Sequence, residues 1–143
     1  MKTLIGLLAL VLAPSAAMAE QSVKFGDIEV HYNAMPTSEL LPEVAKNYKL
    51  ERSQTRGLLT ISVIKKNQLG VGQPIKAEVT AHFVNQYSQL GGIDMREVQE
   101  GPAIYYLGEF RMSPPDTLKF TANVKPQGST QTYKVEFDRK VYP

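Results

Sequence analysis

Residues 57–66 constrain the fold more than any other part of the chain. They read Gly-Leu-Leu-Thr-Ile-Ser-Val-Ile-Lys-Lys, with Leu59, Ile61 and Val63 at alternate positions. Because alternate side chains of a β-strand point to opposite faces, these three residues predict a strand with one face buried in a core. The opposite face is mixed, because it carries Leu58, Thr60, Ser62 and Ile64.

The rest of the chain repeats this design of a short alternating strand followed by a turn. Apolar and polar residues alternate at residues 75–83, 118–124 and 133–137, with turn-forming residues between the runs. A first run at residues 23–32 contains the turn-forming pair Gly26-Asp27, which predicts either a tight hairpin or a strand with a bulge, and another strand is expected at residues 93–99. About seven strands result, with turns roughly every 8 to 12 residues and connections too short for parallel crossovers. The pattern predicts an all-β antiparallel β-sandwich. Its expected core residues are Leu59, Ile61, Val63, Val79, Phe83, Phe120, Val124, Val135 and Phe137.

One short helix is predicted between the first and the second strand. Leu41, Val44 and Tyr48 recur at helical spacing, and Pro42 restricts the regular helix to about residues 42–47, because proline fits only a first turn. A helix of one or two turns does not persist alone in water. The segment is therefore expected to dock on the sheet through these apolar residues.

Residues 103–111 predict a strand with two apolar faces. Tyr105 and Leu107 share a face that is too apolar for a plain solvated surface. Two alternatives follow from this. Either the helical segment covers Tyr105 and Leu107, or the two side chains lie exposed as an apolar patch and form the best candidate site for a partner.

The first 19 residues have the three parts of a secretory signal peptide. Lys2 supplies the positive start, an apolar run of ten residues follows, and residues 17–19 (Ala-Met-Ala) form a small-x-small cleavage site. The apolar run is too short to span a bilayer, which takes about 20 residues. We therefore expect cleavage between Ala19 and Glu20. The product would be a periplasmic or secreted protein with one domain, residues 20–143, and no membrane span.

Charge and composition exclude several classes of protein. Residues 20–143 carry 15 of the 16 basic side chains and all 14 acidic ones, which gives a net charge of +1. A nucleic-acid-binding protein usually carries a basic stripe, so no nucleic-acid partner is expected. The chain contains no cysteine, which excludes disulfides, thiolate zinc sites and cysteine nucleophiles.

The sequence predicts no catalytic set, no cofactor site and no metal site. His31 and His82 are the only histidines and occupy outward positions on separate strands, whereas a metal site needs several converging ligands. The acidic residues are scattered, and the serines lie in no Gly-x-Ser-x-Gly motif. One alternative stays open: a small-molecule-binding or metal-binding protein, or a weak hydrolase, that uses His31 with nearby carboxylates.

Aromatic side chains are the remaining candidates for binding. Tyr87 lies in a predicted loop at residues 86–92, and Tyr105 and Tyr106 place one ring on each face of their strand. An exposed tyrosine on a rigid sheet can anchor a partner, although packing with the hydroxyl in water is its more common role. The candidate partner surface comprises Tyr105, Leu107, His31 and Tyr87.

A group of short motifs carries a resemblance to a known family. The motifs are His31-Tyr32-Asn33, Pro42-Glu43-Val44-Ala45, Tyr48, Arg52-Ser53, Gly57-Leu58-Leu59, Ile61-Ser62-Val63 and Ala103-Ile104-Tyr105-Tyr106. Together they resemble short exported proteobacterial proteins known as domain-of-unknown-function family 4426. The resemblance covers nearly all of residues 20–143 and implies a periplasmic or secreted location and an immunoglobulin-like sandwich. The family carries no activity, cofactor or catalytic residue to transfer.

These observations favour a non-enzymatic exported module that binds a protein or a component of the cell envelope. The preference follows from a small β-sandwich without a convergent catalytic set. The sequence names neither the partner nor the oligomeric state.

Overall fold

The computed structural model describes residues 21–143, so the predicted signal peptide at residues 1–19 lies outside the described residues. The described residues form ten strands, one helix, α1 (Pro42–Asn47), and one 3₁₀ turn (Thr37–Glu39). The strands are β1 (Gln21–Phe25), β2 (Ile28–Pro36), β3 (Arg56–Lys66), β4 (Gly72–Pro74), β5 (Ala77–Val84), β6 (Leu90–Ile93), β7 (Arg96–Glu100), β8 (Ala103–Arg111), β9 (Asp116–Pro126) and β10 (Tyr133–Val141).

The strands pair antiparallel in two sheets that enclose a common core. The first sheet has the order β1-β2-β3-β8-β7, with β4 paired to the end of β3. The second sheet has the order β10-β9-β5-β6. The predicted fold class, an all-β antiparallel sandwich of immunoglobulin-like type with one short helix, is confirmed. No helix within residues 21–143 is long and apolar enough to cross a membrane.

The structure has more strands than the seven predicted, because two predicted runs are divided and β4 forms inside a predicted turn. Gly26, at φ +64°, closes a hairpin between β1 and β2, so α1 follows the second strand. The run predicted at residues 93–99 is divided between β6 of the second sheet and β7 of the first. A side chain at Gly108 would collide with Ile93 and Met95, so this glycine lets the chain pass close to β8 as it changes sheet.

The core lies between the two sheets, as predicted. Seven of the nine predicted core residues are buried there, and Val79 and Phe137 are partly buried against the same cluster. The ring of Phe120 lies at the centre, with centroid distances of 5.0 Å to Phe110 and Phe137 and 6.0 Å to Phe83. Since burying one such side chain contributes roughly 1.5–3 kcal/mol, this cluster is the main source of stability.

A second, smaller core lies on the outer face of the first sheet. Its buried members are Ala45, Leu50, Leu58 and Leu107. Tyr48 and Tyr105 pack against them, so the predicted docking of the helical segment on Tyr105 and Leu107 is confirmed. The prediction that Leu41 packs there is wrong, because this side chain is 62% exposed. Leu41 is the N-cap of α1 and therefore precedes the first helical turn.

Hydrogen bonds to β7 fix the end of α1 in place. The phenol of Tyr48 donates to the carboxylate of Glu100, and the guanidinium of Arg96 donates to the backbone carbonyl of Tyr48. The hydrogen bond to Glu100, together with burial, raises the pKa of Tyr48 to about 12. The pKa rises because an ionised phenol could not donate this hydrogen bond and would be repelled by the negative charge of Glu100.

Candidate functional site

Residues 85–89, named loop 85–89 below, connect β5 to β6 and are closed by Asn85. Its Oδ1 accepts hydrogen bonds from the N–H groups of Tyr87 and Gln89, both at 2.9 Å, and its Nδ2 donates to Gln89 Oε1 at 2.7 Å. The N–H of Asn85 donates to the Gln89 carbonyl, and the N–H of Ser88 donates to the Asn85 carbonyl, both at 3.0 Å. Ser88 lies at φ +62°. The loop is therefore a closed turn with a fixed backbone.

Residues 67–71, named loop 67–71, connect β3 to β4 and have the same construction. The Oδ1 of Asn67 accepts hydrogen bonds from the N–H groups of Leu69 at 2.9 Å and Val71 at 3.0 Å. The N–H of Asn67 donates to the Val71 carbonyl at 3.0 Å, and the N–H of Gly70 donates to the Asn67 carbonyl at 2.9 Å. Gly70, the fourth residue, has a positive φ of 80°. Both loops also begin with Asn-Gln.

Each loop holds its third residue in solvent, and the two loops lie at opposite ends of the sandwich. Tyr87 is 73% exposed and Leu69 is 87% exposed. Loop 67–71 follows the end of β3, whereas loop 85–89 lies near Arg111, which pairs with Arg56 at the start of β3. A large side chain held in water on a fixed backbone is typical of an anchor for a partner.

Loop 85–89 borders a cleft with a volume of about 360 Å³. Tyr87 and Leu90 line its mouth, and Arg111 and Asp116 are its charged lining residues. The depression beside loop 67–71 is smaller, about 210 Å³, and is lined in part by Lys65. The two loops therefore have the same pattern of backbone hydrogen bonds but different surroundings.

The side chain of Asp116 ties loop 85–89 to the other wall of the cleft. Its Oδ1 accepts hydrogen bonds from the N–H groups of Gln86 at 2.9 Å and Thr117 at 2.7 Å. The side-chain amide of Gln86 donates to the carbonyl of Pro115 at 3.1 Å. Because Asp116 is buried, its two hydrogen bonds form with little competition from water. The cleft is thus largely pre-formed.

His31 lies on the outer face of the first sheet, beside Glu29. The His31 Nε2 is 3.7 Å and the Lys66 Nζ 3.5 Å from Glu29 Oε1, and the Ser22 hydroxyl donates to Glu29 Oε2 at 3.1 Å. Burial works to raise the pKa of Glu29, but the Ser22 hydrogen bond and the charges of Lys66 and His31 together hold it below its usual value. Among the described residues, no three His, Asp or Glu side chains form a group that could hold a metal ion.

Leu107 and Tyr105, two further members of the predicted partner surface, meet under the helical segment. Leu107 is buried there and Tyr105 is partly buried, because α1 and the residues after it cover them. Leu107 is therefore not accessible to a partner. Of the predicted set, Tyr87 is the residue that the fold leaves most open to solvent.

A second cleft, of about 390 Å³, lies beside the end of β9. Its lining residue Glu97 accepts a hydrogen bond at Oε1 from the buried Tyr106 hydroxyl at 3.0 Å, and its Oε2 lies 3.5 Å from Lys76 Nζ. The Tyr106 hydroxyl in turn accepts from the N–H of Ala77 at 2.8 Å. Burial raises the pKa of Tyr106, and the hydrogen bond to Glu97 acts in the same direction. Because Tyr106 belongs to β8 and Ala77 to β5, this network joins the two sheets, which gives it a structural role.

The matched construction of the two loops is the feature that sequence reasoning misses. The sequence predicts turns in both places and identifies Tyr87 as a candidate for binding, but it identifies neither Leu69 nor Arg111. The available signal is the repeated Asn-Gln pair at residues 67–68 and 85–86, each followed by a large side chain. Asparagine at the start of a short loop often bonds to backbone N–H groups two or more residues later.

Comparison with known proteins identifies a family and a set of related structures. The profile of the family described as "Domain of unknown function (DUF4426)" matches residues 22–143. A crystal structure of a DUF4426 family protein from Pseudomonas aeruginosa PAO1 is 32% identical, with a TM-score of 0.74 over 88% of this chain and 97% of that one. No curated protein matches the chain.

Two solved structures of FetP from uropathogenic E. coli strain F11 are more distant. FetP "as isolated" is 14% identical, with a TM-score of 0.58 over 87% of this chain and 94% of FetP. A copper-bound FetP variant is also 14% identical, with a TM-score of 0.58 over 86% of this chain and 95% of the variant. At 14% identity, the similarity to FetP concerns the fold alone.

Proposed function

The chain belongs to the DUF4426 family, and from that premise we propose that it is a non-enzymatic module that binds a protein or a component of the cell envelope through loop 85–89. Tyr87 is the anchor of this site, and the adjoining cleft receives part of the partner. The family description assigns no activity, so the proposal rests on the surface of this chain.

One observation carries the proposal: Tyr87 is held in solvent, on a loop whose backbone is already fixed, at the mouth of the 360 Å³ cleft. Asn85 closes the loop with three side-chain hydrogen bonds, and Gln86 fastens it to Asp116 and Pro115. Ordering a loop during binding costs free energy, so a loop that is ordered beforehand binds more tightly. Exposed tyrosines that lie beside a pocket are frequent among the residues that contribute most to binding.

The rival function, in which His31 binds a metal or a small molecule or acts in a weak hydrolase, has less support. Among the described residues, the carboxylate within ion-pair distance of His31 is that of Glu29, which also lies within ion-pair distance of Lys66. A metal ion at this place would compete with the Lys66 ammonium for the same oxygen. The copper in the FetP variant is a property of that protein, and the likeness to it is one of fold.

Affinity capture tests the proposal. The purified protein, immobilised at increasing density, should retain one component of an envelope extract in a saturable manner. Tyr87→Ala should abolish that retention because it removes the anchor. Leu69→Ala removes an equally exposed side chain from the matched loop and should leave retention unchanged. Equal retention by Tyr87→Ala and the unmutated protein would exclude loop 85–89 as the binding site.

We further propose that the protein is exported and that its mature form begins at Glu20. The support is the positive start, the apolar run and the Ala-Met-Ala site in the first 19 residues. The mass of the protein isolated from its native host decides the matter. A mass that includes Met1 would contradict the proposal.

A further inference from the structure

We propose that the cleft beside loop 85–89 binds the C-terminal residue of a partner polypeptide. Arg111 pairs with the terminal carboxylate, and the apolar walls of the cleft receive the last side chain. The inference rests on the proposed function, because it names the chemistry of the partner that loop 85–89 contacts.

The guanidinium of Arg111 is available to a ligand. The chain has five arginines, and the side chains of the other four donate hydrogen bonds to oxygen atoms; they are Arg52, Arg56, Arg96 and Arg139. The Arg111 side chain makes no hydrogen bond or ion pair with residues 21–143. A guanidinium presents two parallel donors that match the two oxygens of a carboxylate. The cleft therefore contains a donor group suited to an anionic ligand.

The pairing of β3 with β8 leaves positive charge at this place. Arg56 and Arg111 lie directly opposite each other, and the Glu109 carboxylate lies 3.4 Å from Arg56 Nη1. Like charges directly opposite each other destabilise a sheet. The one acidic residue of the cleft, Asp116, accepts hydrogen bonds from the N–H groups of Gln86 and Thr117 and forms no ion pair with Arg111 within residues 21–143. A carboxylate bound at Arg111 would therefore give this guanidinium a partner.

The other walls of the cleft suit an apolar side chain. Asp116 is the one acidic residue among the described lining residues, and its Oδ1 is occupied by the N–H groups of Gln86 and Thr117. Arg111 is the one cation among them. The apolar lining residues are Phe83, Leu90, Met112 and Leu118.

A C-terminal residue fits this arrangement better than other carboxylates. It carries a carboxylate and a side chain on the same Cα, which matches a guanidinium beside apolar walls. The cleft, at about 360 Å³, is near the lower end of the roughly 300–1,000 Å³ typical of ligand sites and takes one or two residues. Tyr87 and Leu90, 73% and 72% exposed, extend the surface beyond the mouth, where the preceding residues of a polypeptide would lie.

Two pools of short labelled peptides test the inference. The peptides have random internal positions and end in Leu, Val or Phe, with a free carboxylate in one pool and a C-terminal amide in the other. Fluorescence anisotropy measures their binding to the purified protein. The carboxylate pool should bind saturably, and the amide pool about tenfold more weakly or worse, because an Arg–carboxylate pair is lost.

Arg111→Gln should weaken binding of the carboxylate pool about tenfold and abolish its advantage over the amide pool. Arg111→Lys should keep part of the advantage, since it keeps the charge but not the paired donors. The control Lys65→Gln removes a charge beside loop 67–71. It should change the affinity for neither the carboxylate pool nor the amide pool. Equal binding of both pools, no saturable binding of either, or an unchanged preference in Arg111→Gln overturns the inference. If these outcomes accompany Tyr87-dependent capture from envelope extract, the inference fails and the proposed function stands.

Discussion

The Oδ1 atoms of Asn67 and Asn85 accept hydrogen bonds in the same pattern, in two loops at opposite ends of the sandwich. Each Oδ1 accepts the N–H groups of the second and fourth residues that follow it. Each asparagine also pairs its own backbone N–H with the carbonyl of that fourth residue. Only the loop of Asn85 borders the 360 Å³ cleft that contains Arg111. Loop 67–71 is therefore a natural internal control for loop 85–89.

The first prediction concerns the hydrogen bonds of Asn85. Asn85→Ala should lower the free energy of unfolding by about 1–2 kcal/mol, because three partly exposed hydrogen bonds are lost. Asn85→Ala should also weaken partner capture although Tyr87 is unchanged. Without the Asn85 side chain the loop is no longer fixed before binding, so ordering it on binding costs free energy. Urea unfolding and the capture assay measure the two effects.

The matched control for this prediction is Asn67→Ala. It removes the corresponding Oδ1 hydrogen bonds at the other end of the sandwich and should cost a similar free energy of unfolding. Capture should be unaffected. If both variants lose capture equally, the effect reflects stability and not the order of loop 85–89.

The second prediction concerns the titration of Tyr48. Its pKa of about 12 in the folded protein exceeds the ordinary value of 10.0, so its hydrogen bond to Glu100 stabilises the fold fully below pH 10. This contribution is lost as the pH rises from 10 through 12. Tyr48→Phe should remove one phenol from the group that ionises near pH 12, as measured by ultraviolet absorbance.

Glu100→Gln is the matched variant for Tyr48. It keeps an acceptor for the phenol but removes the charge, so the pKa of Tyr48 should fall towards 10. If the phenol that is missing in Tyr48→Phe is one that ionises near pH 10 in the unmutated protein, the Tyr48 phenol is not bonded to Glu100.

The third prediction concerns the centre of the core. Phe120→Ala should lower the free energy of unfolding by about 3–5 kcal/mol, because the ring is buried among Phe83, Phe110 and Phe137. Leu69→Ala, on an exposed loop, should change it by no more than about 0.5 kcal/mol. Urea unfolding measures both. A loss below about 1 kcal/mol in Phe120→Ala would mean that β9 faces the other way.

The fourth prediction concerns His31. Zinc or a chelator should leave the melting temperature unchanged in the unmutated protein and in His31→Ala, because Lys66 shares the Glu29 carboxylate that a metal would need. Differential scanning calorimetry with and without zinc measures this. A zinc-dependent rise in the unmutated protein that His31→Ala removes would favour the metal-binding alternative.

The alternation of β3 and of the runs at residues 75–83, 118–124 and 133–137 was sufficient to predict the fold class and most of the core. Strand phase is local information, because each step along a strand changes the face. The docking of the helical segment also followed from the sequence, since Tyr105 and Leu107 gave β8 an apolar outer face that needed a cover. The packing of Leu41 did not follow, because one residue decides whether a side chain precedes or joins the first turn of α1.

The site depended on relationships that span the chain. Arg111 became a candidate only when β8 placed it opposite Arg56 and beside a loop from another sheet. Likewise, the change of sheet after Ile93 depends on Gly108, which lies on a different strand. Neither relationship is visible in a local pattern, because each requires the register of strands that are distant in sequence.

The central claim, that Tyr87 contacts the partner, is tested most directly by crosslinking. A photoreactive phenylalanine is placed at position 87, and as the matched control at position 69, in the protein produced by its native host. After irradiation, position 87 should give one discrete crosslinked species and position 69 none. Arg111→Gln should reduce the yield at position 87. A discrete product from position 69 with none from position 87 would contradict the account.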